Sequence, residues 1–326
     1  MIGYDKQYTV LRSTPVSLSP SRGISLPCRM AKTVLILCML SGWLYGQTYP
    51  LYIDQPPCPT NEVVNEQIVR EDIGTVVLNV RTPELTYVAP VPRSGRALAM
   101  VIVPGGGYMV EAWDLEGIDI ARYLSSQGVH CFVLRHRLPG KLTGPCKEVA
   151  ALSDAQQAMR TVRELADSLG FSGGQVGIMG FSAGGHLAGS AAVHHETVAG
   201  WSSRPDFSVL VYPVTIMEEP NTGHVGSQWS LLGEKPDADR LAFYNLPDQI
   251  DSLTPPTLLV HASDDATVPV ENSLRYYRGL VRHGIPADLR VYARGGHGFG
   301  AAREQSGPVS GWLDEVLRWI KTTVND

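Results

Sequence analysis

From about residue 98 onward the chain alternates short apolar runs with longer segments in which apolar residues recur every three or four positions. Ala99–Val103, His130–Leu134, Gln175–Met179, Phe207–Tyr212, Pro256–His261 and Asp288–Tyr292 are too short for helices and read as strands, preceded by two more at Thr75–Asn79 and Leu85–Val88. The helical period predicts helices over Leu115–Gln127, Val149–Leu169, Ala183–His194, Glu271–His283 and Val309–Thr322. Strand and helix in alternation predict an α/β fold: a mainly parallel, doubly wound sheet with helices on both faces. Active residues of such sheets gather in the loops at the carboxyl ends of strands. The alternation lapses from Thr215 to Leu253, a polar stretch punctuated by Pro and Gly, which is read as a partial lid over a site.

One strand-to-helix junction carries chemistry. Gly180-Phe181-Ser182-Ala183-Gly184 is a G-x-S-x-G in the context of a nucleophile elbow, with glycines where a tight turn leaves no room for side chains. A serine hydroxyl is a poor nucleophile at neutral pH and needs a base, and the base needs a carboxylate to fix its tautomer. Both follow in the order Ser, acid, His. Asp264 and Asp265 lie in the turn after Pro256–His261, and His297 lies in the glycine-rich loop after Asp288–Tyr292. Adjacent carboxylates diverge, so only one of the two can hold the imidazole. Gly105-Gly106-Gly107 follows the Ala99–Val103 strand, and the backbone N–H groups of Gly106, Gly107 and Ala183 are the candidate oxyanion donors. The glycine spacing is not the G-x-G-x-x-G of a dinucleotide site. No cofactor and no metal spacing is read from the chain.

These residues, with Arg204-Pro205-Asp206-Phe207, Val268-Pro269-Val270-Glu271-Asn272-Ser273 and Gly295-Gly296-His297-Gly298-Phe299, resemble bacterial α/β-hydrolase esterases that deacetylate plant-wall polysaccharides, a family of acetylxylan esterases and feruloyl-esterase-like enzymes. The resemblance spans about Tyr87 to Trp319. It implies the α/β-hydrolase fold and a serine esterase that removes O-acetyl groups from xylan or xylo-oligosaccharides through an acyl-enzyme. It also favours Asp265, at the family's D-x-x-V-P position, as the triad acid. Pro104 stands where hormone-sensitive-lipase-type esterases carry His before the glycines, which separates the chain from that branch. A feruloyl esterase is the alternative within the hydrolases, as is a small serine peptidase of the prolyl-oligopeptidase kind. The latter is disfavoured because no propeller-sized region precedes the motifs. An inactive binding module on the same fold is the alternative of another class.

The amino terminus changes the picture. Met30-Ala31-Lys32 precedes the apolar run Thr33–Tyr45, which reads as a secretory signal peptide over about 30–46. Residues 1–29 read as a gene-model extension, and 47–326 as one α/β-hydrolase domain. The mature protein is therefore expected to be exported, periplasmic or extracellular, with no stable membrane association after signal removal. Residues 1–46 carry five basic and one acidic residue, so 22 Lys and Arg then face 31 Asp and Glu, a net charge of −9. That surface argues against nucleic-acid binding, and the expected partner is an acylated carbohydrate. Three cysteines remain: Cys131 reads as a packed core thiol, and an oxidising compartment leaves room for one Cys58–Cys146 disulfide. Tyr108, Trp113 and Trp229 are candidate pocket residues, with core packing the competing reading. His186, His194, His195 and His261 read as structural or surface residues. Asp154, on a helix with Arg160 and Arg163 nearby, reads as an ion-pair partner.

Overall fold

A computed structural model describes residues 46–59, 65–91, 98–139, 146–171, 175–218, 222–303 and 305–323. The expected extension and nearly all of the expected signal peptide lie outside them. In chain order the strands are β1 (Gln47–Pro50), β2 (Gln67–Glu71), β3 (Gly74–Leu78), β4 (Glu84–Val88), β5 (Leu98–Val103), β6 (Val110–Glu111), β7 (His130–Arg135), β8 (Gln175–Phe181), β9 (Thr197–Val198), β10 (Trp201–Ser202), β11 (Ser208–Val211), β12 (Thr257–Ala262) and β13 (Ala287–Tyr292). The α-helices are α1 (Asp119–Ser126), α2 (Lys147–Leu169), α3 (Ser182–Val193), α4 (Val225–Leu232), α5 (Ala238–Tyr244), α6 (Glu271–Arg282) and α7 (Trp312–Thr323).

Eight strands form the main sheet in the order β1-β4-β7-β5-β8-β11-β12-β13. From β7 to β13 every pairing is parallel, and β1 and β4 close one edge antiparallel. The apolar runs are explained by burial on both faces. Along β5, Ala99, Val101 and Val103 enter one core with residues of α2, α3 and α6, while Leu98, Met100 and Ile102 enter the other with α1 and α7. The same alternation runs through β7, β8, β11 and β12. Gly177 in β8 has no side chain because a Cβ there would lie 2.2 Å from the ring of Phe207.

The predicted strands and helices of the main sheet are all present, with ends shifted by one or two residues in most cases. Two regions differ. The segment predicted as one helix over Leu115–Gln127 begins as a π-helical turn at Trp113–Ile118 and becomes α1 only at Asp119. The insert after β11 is more ordered than a punctuated loop. It holds α4 and α5, each begun by a side-chain cap: His224 Nδ1 accepts from the Ser227 amide at 3.2 Å, and Asp237 Oδ1 from the Arg240 amide at 2.9 Å. Its apolar residues Ile216, Met217, Leu231, Leu232, Tyr244 and Leu246 are buried. Among the described residues no helix is long and apolar enough to cross a membrane.

The reading of Asp154 as a partner for Arg160 or Arg163 is corrected. Those residues lie six and nine positions along α2, outside the three- or four-residue reach of a helical pair, and Asp154 faces inward. It binds Arg137, with Nη2 at 2.7 Å and the Arg137 backbone N–H at 2.8 Å, and both side chains are fully buried. Arg160 pairs with Glu196 and Arg163 with Asp206. The Arg137 guanidinium also donates to the Cys58 carbonyl at 3.0 Å. Cys58 and Cys146 form a disulfide, and Cys131 is free and buried.

The disulfide joins residues 88 apart in sequence, so removing it releases a long loop in the unfolded chain. Replacing both cysteines by serine is expected to cost about 2–4 kcal/mol of stability. Urea titration checks this, and an unchanged midpoint would show that the Arg137 bonds hold the segment without the crosslink.

Candidate active site

In-register pairing of β5 and β8 sets Val103 opposite Gly180, so the chains leaving their carboxyl ends start side by side. The turn at the end of β8 puts Ser182 at φ +52°, a left-handed conformation that costs a non-glycine residue about 1–3 kcal/mol. Its flanking glycines permit the contacts that hold it. A Cβ on Gly180 would lie 2.2 Å from the Gly184 carbonyl oxygen, and one on Gly184 would lie 2.3 Å from that of Pro104. Ser182 is thereby placed at the amino terminus of α3, where unpaired amides and the helix dipole favour negative charge.

Two loops complete the arrangement. After β12, the turn at 263–268 carries Asp265, whose Oδ1 accepts from the amides of Thr267 at 2.9 Å and Val268 at 2.8 Å. After β13, His297 donates from Nδ1 to Asp265 Oδ2 at 2.7 Å, and its Nε2 accepts from Ser182 Oγ at 2.9 Å. The structure thus brings Ser182, His297 and Asp265 into one hydrogen-bonded chain. Asp264, its neighbour, points elsewhere: Oδ1 accepts from the amides of Gly295 and Gly296 at 2.9 and 2.8 Å and so ties down the loop that carries His297. Burial works to raise the Asp265 pKa, but hydrogen bonds from His261, His297 and the Val268 amide outweigh it and hold the carboxyl well below the usual range. Asp265 is a permanent anion at neutral pH, as a partner for an imidazolium should be.

The loop after β5 folds back on itself, with the Ala112 amide on the Gly105 carbonyl at 2.9 Å. Gly106 (φ +137°) and Gly107 (φ +64°) adopt conformations suited to glycine. A Cβ on Gly106 would strike the Val110 carbonyl at 2.2 Å, whereas one on Gly107 would meet nothing within 4 Å. Among the described residues the amides of Gly106 and Gly107 have no acceptor. A hydroxyl activated by an imidazole, beside unspent amides, is equipped to attack a carbonyl and stabilise the oxyanion that forms.

The aromatic candidates behave otherwise. Tyr108 is 2% exposed, and its hydroxyl donates to His186 Nδ1 at 2.7 Å, while His186 Nε2 donates to the Tyr244 carbonyl at 2.9 Å. A substrate contact by Tyr108 is therefore replaced by an anchor: its side chain pins the oxyanion loop to α3. His186 is the satisfied helix histidine expected of it. Trp113 packs against Val77, Val80 and Leu138 beneath the Arg135 guanidinium and fastens the β2–β3 hairpin rather than lining a pocket. Trp229, on α4, keeps 52% of its surface exposed and is free to meet a ligand.

Sequence reading gave no part in the site to four contributors. His261 is fully buried, donates from Nε2 to the Val268 carbonyl at 2.9 Å and lies 3.4 Å from Asp265 Oδ2. Asn272 accepts at Oδ1 from Thr215 and Ile216 and donates to the Thr222 and Pro269 carbonyls, fixing the root of the insert to the acid loop. Glu116 takes the Gly105 amide at 2.7 Å and the Tyr212 hydroxyl at 3.0 Å. His224 caps α4, and burial lowers its pKa. Only Asn272 had a visible signal, its place in the Val268–Ser273 motif.

The model of the prolyl oligopeptidase family matches residues 147–326. An acetylxylan esterase of Xylanibacter ruminicola is 38% identical over 212 residues, which are 64% of this chain and 42% of that protein. Endo-1,4-beta-xylanase B of Butyrivibrio fibrisolvens is 34% identical over 65% of this chain and 34% of its own length. The chain thus spans less than half the length of these relatives. The crystal structure of an acetyl ester-xyloside bifunctional hydrolase from Caldicellulosiruptor lactoaceticus superposes with a TM-score of 0.73 at 32% identity, covering 85% of this chain and 96% of that one. The fold is that of the α/β hydrolases.

The Tyr108–His186–Tyr244 relay has a pH signature. Burial lowers the His186 pKa to about 4, and His136 is lowered likewise to about 4. Unfolded histidine binds a proton below about pH 6.5. The stability each contributes is therefore full above about 6.5 and is lost as pH falls towards the folded value, by about 1.4 kcal/mol per pH unit. His186→Gln is expected to have a shallower decline of urea midpoint between pH 6.5 and 4.5 than the wild type. Parallel declines would show that His186 takes up a proton in the folded state.

Proposed function

The chain belongs to the prolyl oligopeptidase family, and we propose that it acts as a serine carboxylic-ester hydrolase that removes O-acetyl groups from xylan or xylo-oligosaccharides. The observation that carries this reading is the unbroken chain from Ser182 Oγ through His297 to Asp265, set beside two amides with no acceptor among the described residues. Ser182 attacks the ester carbonyl while His297 Nε2 takes its proton. The amides of Gly106, Gly107 and Ala183 receive the developing oxyanion. His297 returns the proton to the sugar oxygen as the C–O bond breaks, leaving acetyl-Ser182. Water, deprotonated by the same nitrogen, attacks the acetyl group, and collapse restores the serine and releases acetate.

The acetyl group and the sugar come from similarity: by their names, an acetylxylan esterase and an acetyl ester-xyloside hydrolase are among the related proteins. Export to an oxidising compartment is part of the proposal. It is supported by the Cys58–Cys146 disulfide and by the apolar run after Lys32.

Acetate release from acetylated xylo-oligosaccharides, measured for the full chain beside Ser182→Ala and Asp265→Asn, tests the reading. Each variant is expected to lose about 10⁴-fold or more in kcat. A wild type that cleaves p-nitrophenyl acetate but not the acetylated oligosaccharide leaves the serine mechanism in place and overturns the carbohydrate substrate. Preferential cleavage of a feruloyl ester or a prolyl anilide would assign the site to those chemistries instead.

A further inference from the structure

A carboxyl group sits directly beneath the oxyanion loop, and the mechanism above makes no use of it. Glu116 is 4% exposed, and burial raises its pKa against the pull of its two hydrogen bonds. An apolar residue of the same size would fill this place at a lower desolvation cost, so the carboxyl calls for an explanation beyond packing.

Its two oxygens serve two different loops. Oε2 takes the Gly105 amide at 2.7 Å, and Oε1 takes the Tyr212 hydroxyl at 3.0 Å. Tyr212 directly follows β11 at φ +36°, and its ring meets that of His297 edge to face with centroids 5.0 Å apart. The Tyr212 oxygen also accepts from the Gly300 amide at 3.2 Å, and the Gly300 carbonyl accepts from Trp312 Nε1 at 3.0 Å. Gly300 lies three residues beyond His297. The contacts are close throughout: a Cβ on Gly105 would lie 2.7 Å from Glu116 Oε2 and 2.9 Å from Ser182 Cβ. The π-helical turn Trp113–Ile118 delivers the carboxyl here, a distortion often found at functional sites.

We propose that Glu116 is a positioning residue for ester hydrolysis: by accepting from Gly105 and Tyr212 it sets the oxyanion donors and the loop of His297 in fixed relation. With the Gly105 peptide held, the next two amides face the reacting carbonyl. With Tyr212 held, the ring beside His297 and the Gly300 peptide stay in place. Glu116 touches neither substrate nor nucleophile in this role. The inference rests on the esterase reading.

The test is steady-state hydrolysis of p-nitrophenyl acetate by wild type, Ser182→Ala, Glu116→Leu, Glu116→Gln and Tyr212→Phe, with thermal midpoints. Glu116→Leu is expected to lose about 10²-fold in kcat, the scale of one misplaced oxyanion donor, with KM within about threefold and a midpoint below wild type, because the Gly105 amide loses its acceptor. Glu116→Gln keeps an acceptor for Gly105 and should recover most of that rate. Tyr212→Phe should lose about tenfold in kcat, with KM again little changed. Wild-type kcat in Glu116→Leu, or a change confined to KM, overturns the proposal, as does Gln no better than Leu. If the leucine variant does not fold, wild-type kcat in Tyr212→Phe overturns it. A wild type without ester turnover defeats the esterase reading and this inference with it. Turnover by wild type, lost in Ser182→Ala but kept in Glu116→Leu, defeats this inference alone.

Discussion

The peptide turn Phe181–Ser182–Ala183 is the reference to which every other group of the site is fixed. Ser182 holds a left-handed backbone there because β8 ends beside β5, Gly184 lets α3 lie against the Val103 and Pro104 carbonyls, and Gly180 lets β8 lie against α3. The strain is small beside the energy of the packed sheet around it. Its consequence is geometric. The oxyanion loop leaves β5 one strand to the side of the serine, and β11, β12 and β13 deliver Tyr212, Asp265 and His297 from the other side.

Around that turn the protein buries polar groups that an apolar core would not need. Arg137 with Asp154, Glu116 with Gly105 and Tyr212, His186 between Tyr108 and Tyr244, and His261 beside Asp265 each find partners. Buried polar groups persist only when satisfied. Tyr108 to His186, His186 to Tyr244 and Tyr212 to Glu116 join segments 58 to 96 residues apart and pin one loop to another, whereas His261 stiffens its own turn. The insert is held the same way, through the four bonds that the Asn272 side chain makes to Thr215, Ile216, Thr222 and Pro269. Rigid loops on a rigid sheet are what a preorganised oxyanion site requires.

Much of this was legible in the chain. Burial on both faces made the strands of the sheet continuous apolar runs, and G-x-S-x-G marked the turn because steric need leaves so few residue choices there. His297 and the Asp264-Asp265 turn could be found because chain order and strand ends constrain where a triad must lie. The insert was harder. Its helices are short and weakly patterned, and caps such as His224 act through a contact that composition does not encode. Tyr108 and Trp113 looked like pocket residues because an aromatic beside a motif is equally compatible with a pocket and with a core.

The sequence by itself determined the alternation of strand and helix, the nucleophile elbow and the order of the triad, since period and turn chemistry are properties of neighbouring residues. Tertiary structure alone decided which of two adjacent aspartates meets His297, why Asp154 turns to Arg137 rather than to its own helix, and that Glu116 lies under Gly105. The partner of a buried oxygen is whichever donor folding brings within about 3 Å, and a donor from a distant segment leaves no periodic mark in the chain.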